Sequence, residues 1–313
     1  MTMSTKILPI SSISPLHCYL NGAFKTDIHL AYPKLEGWFY SNYVNLYALP
    51  EILLFLSNDF VNKEEPLLHY DTISKDNLLE WNINIIYFLR QAIDQGKYIN
   101  TDLNEKFLSY SGKQYDYVHD AFIYGYNDDK KIFYMRGFNK TGLYGSVIAT
   151  YDEVEQAYKT SLNVEKETFI NLIKPNELTE KYPFDLYRFH IQLDDYYHST
   201  NYTYRDVQLD GYLHNREDVV FGLQCYDMIR EKIHQNAPPN ENLILFHTLW
   251  EHKNIMLLRI RFMEKYAFMP MNNKIYLEYQ KIANDAMVIR NIALRNKISV
   301  SYTHLTLPTI RLV

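Results

Sequence analysis

Hydrophobic and polar positions follow two different rhythms along this chain. Between about Asn42 and Ser57 the apolar spacing is compatible with a helix. A stronger helical pattern follows the capping candidates Thr72 and Ser74. Leu78, Leu79, Ile85, Ile86, Leu89 and Ile93 share the helical period, and Gly96 supplies a stop. The rhythm then shortens. Lys97–Asp102 reads as a short buried strand, and residues 119–136 read as a β-hairpin. Its strands, Ala121–Tyr126 and Lys131–Met135, flank the turn Asn127-Asp-Asp-Lys. Thr150-Tyr-Asp-Glu153 has the spacing of a capping box, in which hydroxyl and carboxylate each satisfy an orphan backbone amide. It opens a helix expected to run to Lys159. Phe169–Ile173 reads as one more strand, ended by Pro175.

Helical spacing dominates afterwards, at roughly 184–198, 215–235, 242–267 and 273–297. Pro238-Pro239 and Met269-Pro270-Met271 punctuate it. The pattern predicts an α+β protein. An N-terminal mixed domain is expected over 1–165, and an all-helical C-terminal domain (mainly helical over 166–299) follows it. Residues 300–313 abandon the periodicity. They resemble the translated adapter remnant found at the ends of metagenome-derived reading frames, so a non-native tail is expected there.

Composition narrows the functional classes. Of 313 residues, 47% are hydrophobic and 22% charged, enough apolar material for a sizeable core, which excludes a disordered chain or a disulfide-dependent miniprotein. A net charge of −5, from 32 basic and 37 acidic side chains, argues against a nucleic-acid partner, which needs a basic stripe. Only 10 residues are Gly, which disfavours phosphate-cradling loops, while the 29 Tyr, with abundant Asn, Ile and Lys, fit an AT-rich genome. The N-terminus lacks the apolar run of a signal peptide, and the longest apolar stretch, Ile52–Leu56, is far short of a membrane span. A cytoplasmic bacterial protein without a membrane partner is expected, with Cys18 and Cys225 as unpaired thiols.

Familiar cofactor motifs are absent. There is no GxGxxG, HExxH or CxxC, and Gly137…Gly142 is followed by Leu143 rather than the Lys-Ser/Thr of a P-loop, so no cofactor is expected. His247 and His252, with Glu251 between them, are five residues apart on an expected helix, which sets the imidazoles on different faces and disfavours a metal site. His198 stands at a helix C-terminus, where a histidine complements the dipole, and Cys225 sits in an apolar helix as a small core residue. One constellation remains. His17-Cys18 follows Pro15, Cys18-Tyr-Leu-Asn-Gly-Ala-Phe can open a helix, and His119 begins a hairpin strand. A thiol needs a base and a helix N-terminus to become a thiolate nucleophile.

The run from Tyr117 through His119 to Met135 resembles the histidine-bearing hairpin of papain-like peptidases of the bacteriocin-processing kind. It is more similar still to the N-terminal domain of the butirosin-biosynthesis BtrH family, with a match over roughly residues 9–160. The resemblance implies a papain-like N-terminal domain and catalysis by Cys18 and His119. The activity implied is cysteine-dependent acyl transfer from thioester to amine, or amide hydrolysis, in a secondary-metabolite or nonribosomal-peptide pathway. An acyl or peptidyl carrier protein and a small amine or peptide substrate are the implied partners. In the family the second hairpin strand ends in an Asp that orients the His. Met135-Arg136-Gly137 occupies that place here, and Asn139 is the nearest residue able to hydrogen-bond an imidazole. Asp120, adjacent to His119 on a strand, points to the other face. The missing Asp favours an alternative: a catalytically inactive member of the fold that binds a peptide or protein. The tyrosines 115, 117, 124, 126 and 134 read as sheet packing, or as an aromatic lining for an acyl or peptide group.

Overall fold

The computed structural model describes residues 4–50, 52–55, 67–162, 169–176, 183–203, 217–234 and 239–300. It divides into two compact units. Residues 1–39 and 64–183 form the first, and residues 40–63 and 184–313 the second. The chain thus leaves the first unit and returns to it, whereas the sequence suggests a single boundary near 165.

The first unit is an antiparallel sheet with helices. Its strands are β1 (Thr5–Ile7), β4 (Leu68–Ser74), β5 (Tyr98–Asn104), β6 (Val118–Asn127), β7 (Ile132–Phe138), β8 (Tyr144–Thr150) and β9 (Phe169–Pro175). The order across the sheet is β4-β9-β5-β6-β7-β8, with β1 also paired to β6. The strand expected over Phe169–Ile173 therefore belongs to this sheet, between β4 and β5, and not to a helical C-terminal domain. Helices α1 (Leu20–Ala31) and α2 (Pro33–Ser41) come before β4; α3 (Lys75–Glu80), α4 (Ile85–Asp94) and α5 (Tyr151–Ser161) come after it. The single helix suggested after Thr72 and Ser74 is split in two. Ser74 caps α3 by accepting from the Asp76 amide, Asn82 breaks the path with a φ of 51°, and Asn84 caps α4 through the Tyr87 amide. The Thr150–Glu153 capping box forms as expected, and the helix it opens continues to Ser161.

The second unit holds a small sheet and most of the long helices. Strands β2 (Leu46–Leu49) and β3 (Ile52–Phe55) form an antiparallel hairpin, and β10 (Val220–Phe221) adds to β2. These two strands occupy the segment whose spacing suits a helix. All four residues of β2 are buried, so the alternation that marks a half-buried strand is absent. The C-terminal region is otherwise helical: α6 (Leu186–His198), α7 (Gln224–His234), α8 (Pro239–Lys265) and α9 (Asn273–Val300). The tail 301–313 lies outside the described residues. No helix among the described residues is long and apolar enough to cross a membrane.

Two cations of α8 are buried in this second unit, and among the described residues their hydrogen-bond partners are main-chain carbonyls, a tyrosine hydroxyl and a methionine sulfur. The fully buried Arg259 donates from Nε to the Tyr40 carbonyl at 2.7 Å and from Nη2 to those of Asn42 and Tyr43 at 2.6 and 3.1 Å. Lys253 donates to the Tyr196 hydroxyl at 2.8 Å and lies over the rings of Tyr196 and Tyr226. Burial lowers the Lys253 ammonium to about 7.

Candidate functional site

Cys18 lies two residues ahead of α1. Leu20, Ala23, Phe24 and Ile28 are buried at helical spacing, which explains why a helix forms here. Tyr19 turns the chain into it with a φ of 59°, its carbonyl accepting from the amides of Gly22 and Ala23 at 2.9 and 3.1 Å. The first turn of α1 carries no acidic residue. The positive end of the helix dipole therefore faces the Cys18 backbone without a carboxylate of its own turn to neutralise it. Cys18 is half-buried, whereas Cys225 is fully buried and burial pushes its thiol up to about 12.

Phe24 of α1 stacks on Phe122 of β6 with ring centroids 4.6 Å apart, fixing which face of the sheet α1 covers. On that face stands a polar cluster with no sequence signature. Asp27, fully buried, accepts from Ser14 Oγ at 2.5 Å and from Tyr144 Oη at 2.8 Å, and lies 3.0 Å from Arg136 Nε. Arg136 also donates to the Ser11 carbonyl at 2.7 Å and to Ser146 Oγ at 3.2 Å. Burial raises the Asp27 carboxyl to about 6, against the lowering effect of Arg136, Ser14 and Tyr144. The His17 ring lies 5.8 Å from that of Tyr144. The cluster ties the segment before Cys18 to α1, β7 and β8.

His119 is the second residue of β6, opposite Leu103 of β5. Register between these strands is regular from Val118 to Ile123, so residues 119 and 122 point to opposite faces. His119 therefore faces away from the side that α1 covers, with Tyr117 stacked on its ring at 5.4 Å. Its Nδ1 lies 3.4 Å from Oε1 of Glu105, a buried carboxylate in the 3-10 turn Glu105–Phe107 that follows β5. Sequence reasoning passed over Glu105; the register that brings it to His119 is not visible in local spacing. Asp120 shares the Phe122 face by the same alternation, as its position next to His119 implies.

Asn139 lies in the turn between β7 and β8. Its side-chain oxygen accepts from Thr141 N, Thr141 Oγ1 and Leu143 N at 3.0, 2.7 and 3.0 Å, and its carbonyl accepts from the Gly142 amide. These bonds assign that oxygen to closing the turn, because an Asn side chain satisfies nearby amides readily. Arg136 pairs with Phe122, so Gly137 shares the His119 face. A side chain at Gly137 would meet the Tyr110 ring, 3.2 Å from an ideal Cβ.

His252, His247 and His198 have structural partners. His252 hydrogen-bonds the Val44 carbonyl at 2.8 Å, and burial holds its imidazole well below the usual range. His247 receives Arg290 Nε on Nδ1 at 2.9 Å, and its Nε2 is 3.2 Å from Glu251. His198 contacts Asp194 one turn back, at the C-terminus of α6. What the first unit assembles is thus a thiol at a helix start, an imidazole beside a buried carboxylate, and a buried acid–guanidinium cluster. No protein-family model matches the chain, and no curated protein does so either.

Proposed function

We propose that the first unit is a papain-like fold that binds a peptide or protein without catalysis; the observation that carries this reading is the strand alternation that sets His119 on the face opposite Phe122 and α1, the helix that Cys18 precedes. A second reading, cysteine-dependent acyl transfer or amide hydrolysis with Cys18 as nucleophile and His119 as base, draws on the His119–Glu105 pair, an imidazole 3.4 Å from a buried carboxylate. Imidazole and carboxylate are the parts that activate a thiol in cysteine hydrolases and transferases. In the reaction His119 takes the Cys18 proton and the thiolate attacks the acyl carbonyl. The carrier thiol, or the amine of an amide, leaves with the proton from the imidazolium. An amine or water then resolves the acyl-enzyme, and the Cys18 thiol is restored. A thioester substrate implies a phosphopantetheinyl carrier protein as partner and a small amine or peptide as acceptor.

Alkylation of Cys18 by iodoacetamide between pH 5 and 9, read by peptide mass spectrometry, separates the two. Rapid labelling at pH 6 that is lost in His119→Ala is the result expected of an activated thiolate. Labelling that rises only near a free-thiol pKa of about 8.5, in both proteins, overturns the catalytic reading in favour of the binding module.

A further inference from the structure

We infer that the outer edge of β8 pairs with β8 of a second copy of this chain, making a symmetric antiparallel dimer through the sheet of the first unit. β8 ends that sheet, and among the described residues β7 is its only ladder partner. Bonded and non-bonded pairs alternate along an antiparallel ladder. Two bonds at the ends of this one fix its phase. The Asn139 amide donates to the Leu143 carbonyl at 3.0 Å, and the Tyr151 amide donates to the Lys131 carbonyl at 2.9 Å. Counted from either end, Gly145, Val147 and Ala149 bond β7, while Tyr144, Ser146 and Ile148 turn their N–H and C=O groups outward. Among the described residues nothing takes those outward groups. The edge closes at Thr150, whose amide donates to Glu153 Oε2 at 2.6 Å. From there α5 packs against β5, away from the edge.

The edge carries none of the devices that keep strands apart. Tyr144–Thr150 has no charged side chain and no proline, and it runs beside β7 without a register shift. β4, at the other end of the sheet, does carry them: His69 and Asp71 lie on it, and Asp71 pairs with Lys97 at 2.7 Å. Self-complementarity selects β8 itself as the partner. One register uses every outward group of both strands. Ser146 then lies opposite Ser146 of the partner subunit on the two-fold axis, and Tyr144 lies opposite Ile148 of the partner subunit. Directly opposed residues share a sheet face, so Ile148, 54% exposed, gains an aromatic neighbour. The same register brings the turn bearing the exposed Lys140 toward the first turn of α5 in the partner subunit, where the exposed Asp152 stands. Opposite charges thus meet at both ends of the pairing. A foreign strand would satisfy the backbone groups but would have no reason to match these side chains.

A seven-residue edge buries less than the ~1,200 Å² of a standard interface, so a weak dimer is expected, with a dissociation constant of about 10–100 µM. Sedimentation velocity of the full chain, from about 1 µM to about 1 mM, tests it. The weight-average coefficient is expected to climb from the monomer value toward that of a dimer. Ile148→Pro removes an outward N–H from each strand but no bond to β7, and is expected to weaken association by about tenfold or more. Ile148→Thr keeps the donor and the dimer. Lys140→Glu is expected to weaken association severalfold, and the swap Lys140→Glu with Asp152→Lys to restore it. A chain that stays monomeric to about 1 mM overturns the inference. A dimer indifferent to both Ile148→Pro and Lys140→Glu also overturns it, because its interface lies elsewhere. Should Ile148→Pro not fold by circular dichroism, the charge swap decides. A monomer whose Ser146 and Ile148 amides gain hydrogen-exchange protection only with a synthetic Thr-Val-Thr-Val-Thr peptide assigns the edge to a foreign strand and overturns self-pairing.

Discussion

In the first unit, Asp27 and Arg136 are buried as a pair, 3.0 Å apart, with hydroxyls of Ser14, Tyr144 and Ser146 completing their bonds. In the second, Arg259 and Lys253 are buried with no carboxylate among these partners; three main-chain carbonyls and the tyrosine Tyr196 take its place. The two arrangements do different structural work. The pair around Asp27 joins side chains from distant elements, so either charge alone is a liability. Arg259 instead joins α8 to the C-terminal end of α2 and the bend after it, donating to the carbonyls of Tyr40, Asn42 and Tyr43. A guanidinium suits this place because its planar fork serves several acceptors at once.

Removing one side of each arrangement is the strongest way to test the contrast. Asp27→Ala leaves Arg136 buried without its counter-charge and is expected to cost about 3–5 kcal/mol, measured by urea unfolding. A cost below 1 kcal/mol would show that Arg136 relaxes into other partners. Arg259→Met keeps the volume and removes the donors of three carbonyls. It is expected to cost about 2–4 kcal/mol; an unchanged urea midpoint would mean those carbonyls are satisfied elsewhere.

The gentlest test uses pH, where the arrangements pull in opposite directions. The Asp27 carboxyl holds its proton up to about 6 in the folded protein, and an unfolded Asp releases it near 3.9. Its contribution is present below about pH 4 and fades as pH rises to 6. Lys253 loses its proton at about 7 when folded, while an unfolded Lys keeps it to about 10.4. Across that interval the unfolded chain binds more protons, so stability rises with pH, by up to about 1.4 kcal/mol per pH unit. Subtracting the Lys253→Met profile from the wild-type profile isolates the alkaline rise, and subtracting that of Asp27→Asn isolates the acid-side fall. Parallel profiles in either comparison would remove the corresponding group from the contrast.

What could be read from the sequence follows from how local each signal is. The hairpin around Asn127–Lys130, the capping box at Thr150 and the strand after Gly96 depend on neighbours within a few residues, and all three form. The hairpin of β2 and β3 escaped because burial on both faces leaves no alternation, and its apolar run has no intrinsic period. β9 reads as a strand from its own residues, but its place between β4 and β5 is not legible locally, because those partners lie far away in the chain. The site divides in the same way. Cys18 and His119 are marked by residue type and surroundings. Glu105 and Asp27 are ordinary acidic residues, one after a strand and one within a helix, and only strand register and helix packing give them partners.

The double passage of the chain between units has a consequence for synthesis. Residues 40–63 leave the ribosome long before Leu186–Val300, yet they belong to the same compact unit. Until α8 is made, the carbonyls of Tyr40, Asn42 and Tyr43 have no Arg259 to meet, and β2 waits for β10 as its second neighbour. An apolar hairpin exposed for that interval is a natural target for chaperones and for aggregation. Division of the chain at any one peptide bond near residue 183 yields no complete second unit. The contiguous C-terminal half alone would present α8 with an uncompensated buried arginine, and its solubility would depend on supplying residues 40–63 in trans.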